Sequence, residues 1–195
     1  MRVRSRIIPL LFFLSFINAQ IALPTFQGVH KPQNTTSSDC EGTPETPWGS
    51  NYGVSGTGYS WNHMMGYVFT PLVDGCITKF GGYFDGDKTV RLWKISSEEL
   101  LAKVTVPDPN NSWVYVDISS VSISSGEQYY VAVYVNGGGA YKSGVGLPKT
   151  YGNITINYNR WAYGYNSDTY PTSFGSGNQT NWLHGMVDIT FVPDE

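Results

Sequence analysis

From Met64 to Val192 the chain alternates short runs of Val, Ile, Phe, Tyr and Trp with clusters of turn residues, and this rhythm constrains the fold most. The runs are Met64–Thr70, Ile77–Phe84, Thr89–Ile95, Leu100–Val106, Trp113–Ile118, Gln128–Val135 and Met186–Val192. Between them stand Asp74-Gly75, Asp85-Gly86-Asp87, Ser96 to Glu98, Pro107 to Asn111, Ser124 to Gly126 and Asn136 to Gly139. Strands at roughly 10-residue spacing, with no window of helical period, predict an all-β chain folded as an antiparallel β-sandwich. About seven to nine strands are expected, with at most one turn of helix, in one domain spanning residues 48–195. No internal repeat is visible.

Within the runs, residues alternate in kind. Val90 and Leu92 share one face and Arg91 and Trp93 the other; Val114, Val116 and Ile118 oppose Trp113, Tyr115 and Asp117. Tyr129, Val131, Val133 and Val135 oppose Tyr130, Ala132 and Tyr134. Period-2 geometry sends such sets to opposite sides of a sheet. The aliphatic side is core. If these strands share a sheet, Trp93, Tyr115, Tyr130 and Tyr134 form an aromatic outer face. Two uses of that face compete: packing beneath loops or the N-terminal arm with cross-strand aromatic pairing, or a platform on which sugar rings stack.

A second aromatic concentration is Tyr158-Asn159-Arg160-Trp161-Ala162-Tyr163-Gly164-Tyr165, continued by Asn166, Asp168 and Tyr170 and closed by Pro171. It falls between the predicted strands, so it reads as a loop or a short irregular hairpin. Aromatic rings beside Asn, Asp and Arg are the ingredients of carbohydrate recognition, the rings for stacking and the polar groups for hydroxyls. Arg160, Trp161, Tyr163, Tyr165 and Tyr170 are the candidate ligand-binding residues, with Arg160 offering a fork of donors. The competing reading is a Tyr-rich loop packed over one end of the sandwich. Tyr59, Trp61 and Asn62, with Asn181 and Trp182, are placed to join the same rim.

Composition narrows the partner. Charged residues make up 14% of the chain, against roughly 25% in soluble proteins generally. Aromatic residues reach 15%, the net charge is −3, and no basic stretch follows the first six residues. Phosphate binding needs clustered Lys and Arg, so nucleic acid is excluded as an expected partner. Arg2, Arg4 and Arg6 precede an apolar run from Ile7 to Ile17, and Ala19 offers a small residue for cleavage. Residues 1–19 therefore read as a secretory signal peptide. The run holds about 11 residues against the roughly 20 of a spanning helix, and no membrane span is expected after its removal. Residues 20–47 hold Pro24, Pro32, Pro44 and Pro47 without periodicity and read as a Pro-rich linker or loosely packed arm. The expected location is secreted or at the cell surface.

Cys40 and Cys76 are the two cysteines, and an isolated pair in an oxidising compartment is expected to join. Such a bridge stabilises by on the order of 4 kcal/mol in the chain-entropy account. Neither cysteine has a partner at zinc spacing, so no metal site is assigned. Asp85-Gly86-Asp87 offers oxygens to a structural calcium as the one cofactor reading. Asn34, Asn110, Asn153 and Asn178 begin Asn-x-Ser/Thr sequons and are possible glycosylation sites.

Catalytic signatures are sparse. His63 and His184 lie within the domain without a nucleophile motif, and no Gly-x-Ser-x-Gly, His-Glu-x-x-His or phosphate-cradling loop occurs. Glu98 and Glu99 sit together at a turn, whereas a glycosidase pair usually comes from separate strands. Asp117 and Asp188 fall within strands, as partners for backbone amides or for Arg91.

Gly66-Tyr67-Val68-Phe69-Thr70, Gly75-Cys76-Ile77-Thr78-Lys79-Phe80, Val90-Arg91-Leu92-Trp93, Gly126-x-x-Tyr129-x-Val131 and Gly185-Met186-Val187-Asp188-Ile189-Thr190-Phe191 follow one another in an order that resembles the bacterial domain of unknown function 4082. The resemblance covers roughly residues 64–192. It implies a jelly-roll-like sandwich on exported, surface-associated proteins, often beside adhesion or carbohydrate-active modules, and carries no functional residues across. The expected function is an exported, non-catalytic module binding a glycan or surface polysaccharide, or acting in adhesion. The alternatives are a purely structural surface or matrix protein, and a divergent glycan-active hydrolase or lyase.

Overall fold

The structure is a computed structural model that describes residues 40–49, 53–110, 112–175 and 177–194. Residues 1–19, expected as a signal peptide, residues 20–39 of the expected arm and the Asn34 sequon lie outside the described residues. Twelve strands run in chain order: β1 (Gly56–Tyr59), β2 (Asn62–Pro71), β3 (Gly75–Gly82), β4 (Lys88–Lys94), β5 (Glu99–Val106), β6 (Val114–Ile123), β7 (Tyr129–Asn136), β8 (Gly139–Ser143), β9 (Lys149–Tyr151), β10 (Ile154–Tyr163), β11 (Trp182–His184) and β12 (Val187–Pro193). There is no α-helix among the described residues.

The strands form three antiparallel sheets. A six-stranded sheet has the order β5-β4-β7-β2-β10-β9, a three-stranded sheet the order β12-β3-β6, and a smaller sheet the order β1-β8-β11. The all-β sandwich is thus the observed fold. Its main core gathers Tyr67, Phe69, Val90, Leu92, Val131 and Val133 from the large sheet, Phe80, Ile189 and Phe191 from the three-stranded sheet, and Ala140 and Leu183 from the small one. All eleven are fully buried. Each buried Val, Leu, Ile or Phe contributes about 1.5–3 kcal/mol over its exposed state.

All seven runs expected as strands are strands, and the alternation within β4 and β7 sorts as expected. Five further strands bring the total to twelve, above the expected seven to nine. The largest is β10, which occupies part of the segment expected as a loop. A bulge between Ile156 and Tyr158 changes its register against β2. Ile154 and Ile156 face the main core before the bulge, and Trp161 packs against that core after it. An extra residue flips the parity of every side chain beyond it, so no single period of 2 runs through the strand.

The outer face of the large sheet is covered. Trp93, Tyr130, Val68, Met64 and Ala162 form a second apolar cluster there, with Tyr170 packed among them and Phe174 at its margin. The 164–175 loop lies over this face and is tied at two points. Asp168 accepts from Arg91 Nε at 2.9 Å and from Lys103, and its backbone carbonyl accepts from Trp93 Nε1 at 3.0 Å. Arg160 Nη1 donates to the Tyr170 hydroxyl at 2.7 Å, and its guanidinium lies 3.7 Å from the Phe174 ring centre. Cross-strand register places Lys103, Arg91, Ala132, Gly66 and Arg160 in one row, which is why both tethers stand beneath the same loop.

The described part of the N-terminal arm runs beside β12. Gly42 and Glu45 donate backbone bonds to Pro193 and Phe191, Phe191 donates back to Glu45, and Cys40 is bridged to Cys76 with Cα atoms 5.9 Å apart. The arm ends on Asp188, whose carboxylate accepts from Trp48 N, Gly49 N, Tyr67 Oη and Tyr115 Oη at 2.6–3.2 Å. Tyr115 reaches it by crossing Gly81, which sits between the two in register; a Cβ there would collide with the Tyr115 ring. This carboxylate covers the otherwise open amides of the arm.

Candidate functional site

The small sheet carries the broadest set of half-exposed rings. Its strands are short, and in β8 and β11 core residues alternate with outward ones. Ala140 and Leu183 point into the core, leaving Tyr141, Trp182 and His184 on the opposite face, joined by Tyr59 and the neighbouring Trp61. Tyr59 and Trp61 stack with ring centres 4.7 Å apart, and Trp182 and His184 lie parallel at 5.8 Å. Tyr141 lies between the two pairs, 5.2 Å from Tyr59 and 5.2 Å from Trp182. Glycine makes room for this. A Cβ on Gly139 would stand 2.8 Å from the Trp61 ring, and one on Gly56 would stand 2.8 Å from Tyr141. Tyr59 and Trp182 remain 39% and 38% exposed, which marks the face as uncovered by described residues.

Trp61 also meets His184 edge-on at 5.4 Å. Beyond it, His63 stacks on Trp161 at 4.7 Å and touches Tyr163 at 4.9 Å. The aromatic surface therefore runs from the small sheet to the end of β10. Tyr163 is 76% exposed there. With Trp161, Tyr165, Phe174 and Gly175 it lines an open cavity of about 350 Å³.

His184 is held by one buried side chain. Asn159 is fully buried, and its amide nitrogen donates to the backbone carbonyls of Gly66 and His184. Its oxygen faces His184 Nδ1 at 3.0 Å. Burial pushes the imidazole down to about 4, with the nearby His63 adding to the effect, so the ring is neutral at neutral pH.

The expected site residues divide. Trp161, Tyr163 and Tyr165 share the cavity described above. Arg160 and Tyr170 are bound to each other beneath the loop, and Tyr170 is only 8% exposed, so they lie apart from the cavity lined by the other three. On the large sheet the packing reading holds for Trp93 and Tyr130, and the four rings do not share one outer face. Trp93 and Tyr130 are fully buried by the 164–175 loop, and Tyr115 belongs to a different sheet and is engaged with Asp188. Tyr134 is half-buried, donates to the Asn62 side chain and lines a small polar cavity with Asn136 and Asn166. The aromatics of the large sheet pack because a long loop returns over them.

The acids are similarly placed. Arg91 pairs with Asp168 rather than Asp188 or Asp117, and Asp117 instead meets Lys79 at 2.7 Å on the surface. In the Asp85–Asp87 turn, Asp87 accepts the Asp108 amide and Asp108 accepts the amides of Gly86 and Asn110. Among the described residues, one group of three metal-ligand side chains is close enough to share an ion, Cys40, Cys76 and Asp194, and its sulfurs are joined in the bridge. Asn110 and Asn178 are exposed, while Asn153 is half-buried and donates from its side chain to Glu45 at 2.8 Å. No helix among the described residues is long and apolar enough to cross a membrane.

The sequence reading names Tyr59, Trp61 and Trp182 as rim residues, places Asn159 in the neighbouring aromatic segment and weighs His63 and His184 only for catalysis; it misses Tyr141. The available signal was the i, i+2 spacing of Tyr59 with Trp61 and of Trp182 with His184, with core-directed Leu183 between the latter. Comparison with known proteins found no matching family model and no similar curated protein.

Proposed function

We propose that this protein is an exported, non-catalytic carbohydrate-binding module that acts in adhesion or glycan capture at the cell surface or outside the cell. The observation that carries the proposal is the outward face of the small sheet, where Tyr59, Trp61, Tyr141, Trp182 and His184 form one aromatic surface that no described segment covers. Sugar rings present C–H groups that lie well on aromatic faces, and contiguous exposed aromatic area usually marks binding. Asn181 and the hydroxyls of Ser55 and Ser143 belong to the same strands and their flanks. The disulfide supports an oxidising compartment. The resemblance to exported domains of unknown function 4082 points the same way by association.

Each stacked ring contributes on the order of 1 kcal/mol beyond area burial. Three or four together give about 4 kcal/mol, equivalent to roughly millimolar affinity. The module therefore suits a repeating polysaccharide that engages several rings at once. The test is affinity electrophoresis of the mature protein in gels containing β-glucan, mannan, galactan or xylan. Retardation by at least one is expected; migration unchanged in all four removes the proposal.

A further inference from the structure

Asn159 has a side-chain amide whose orientation is decided by its surroundings. Two backbone carbonyls, those of Gly66 and His184, lie against one end of it, and a carbonyl can only accept. That end is therefore the NH₂. The oxygen is left facing His184 Nδ1 at 3.0 Å, and it can only accept in turn. Its backbone is fixed as well, by paired bonds of 2.9 and 2.8 Å with Gln179. In a neutral imidazole the nitrogen opposite a protonated Nδ1 carries a bare lone pair.

We propose that His184 Nε2 is a preset hydrogen-bond acceptor that reads a hydroxyl of the bound sugar while Trp61, Tyr141 and Trp182 hold the ring. This rests on the carbohydrate reading above and names the polar contact within it. Three observations place Nε2 for the task. His184 belongs to the aromatic face, with Trp182 parallel to it and Trp61 edge-on. Nε2 has no hydrogen-bond partner among the described residues. The orienting Asn159 is fully buried, so water does not compete for its amide. Stacking alone accepts any sugar with a flat apolar face; a fixed acceptor selects those carrying a hydroxyl at one position.

The experiment has two arms. Long-range ¹H–¹⁵N correlation spectra of the protein between pH 6 and 8 report the tautomer directly. The Nδ1–H form is expected at His184, and the Nε2–H form would overturn the proposal. In the second arm, the hexasaccharides of β-1,4-linked glucose, mannose and xylose are titrated into wild-type protein, His184→Phe and Trp182→Ala. His184→Phe keeps an aromatic ring without the acceptor and is expected to weaken the tightest of the three interactions at least tenfold. Equal binding by wild type and His184→Phe, with Trp182→Ala impaired, overturns the acceptor role alone. Absence of binding to all three by the wild type overturns the carbohydrate reading and the acceptor with it. Should His184→Phe fail to fold, the tautomer measurement on the wild type decides.

Discussion

Two residues have consequences that can be read one at a time. Trp182 is half-exposed, and among the described aromatic residues its ring touches Tyr141 and His184. Trp182→Ala should therefore weaken polysaccharide binding at least tenfold, about 1.4 kcal/mol, while shifting the melting temperature by only a few degrees. Calorimetric titration beside thermal denaturation checks both. Asp188 is the opposite case, a buried carboxylate serving four donors. Asp188→Ala leaves those donors without an acceptor and should cost about 3 kcal/mol or more, measured by denaturant unfolding. Burial raises the Asp188 carboxyl to about 6, against the pull of bonds from Tyr115, Gly49 and Tyr67. A carboxyl raised on folding binds its proton more tightly in the native state. Its contribution to stability is complete below the ordinary aspartate range and fades as pH rises through about 6. The lowered His184 imidazole acts in the opposite sense over the same range, so the Asp188 effect is read as a difference: between pH 4.5 and 7.5 the wild type should lose unfolding free energy relative to Asp188→Asn.

Among the elements, the arm and the long loop are held by different means and should loosen separately. The described arm depends on the Cys40–Cys76 bridge, the Glu45–Phe191 pairing and the Asp188 amides. A Cys40→Ser, Cys76→Ser double variant should lose up to on the order of 4 kcal/mol, and the Glu45 and Phe191 amides should show the earliest gain in hydrogen exchange. The loop over the large sheet depends on Asp168, whose carboxyl is held below its usual range by hydrogen bonds from Lys103 and then Arg91. Asp168→Asn should raise exchange across residues 164–175 and leave sugar binding on the small sheet intact. These elements also show where sequence patterning succeeds. In β4 and β7 an unbroken alternation separates the core from the outer face, so both faces are legible. In β10 the bulge at Asn157 reverses the alternation midway, and the strand passes for a loop. The strands β8, β9 and β11 hold only 5, 3 and 3 residues, too few for a period to register.

At the scale of the whole molecule, the chain places aromatic residues on two kinds of surface and treats them differently. On the large sheet, loop 164–175 returns over Trp93 and Tyr130 and converts a candidate platform into a second core. On the small sheet no described segment does so, and Tyr59, Trp61, Tyr141, Trp182 and His184 stay at the surface. Aromatic content was legible from composition, but which sheet keeps its rings exposed depends on where a distant loop lands, and strand patterning carries no record of that. The central claim is that the small sheet's outer face binds glycan. Its most direct measurement is a glycan array comparing wild-type protein with a Trp61→Ala, Trp182→Ala double variant, both verified by circular dichroism as β-folded. The account predicts binding to a defined set of glycans by the wild type and at least a tenfold loss across that set in the double variant. Equal binding by the two proteins, or no binding by the wild type, would contradict it.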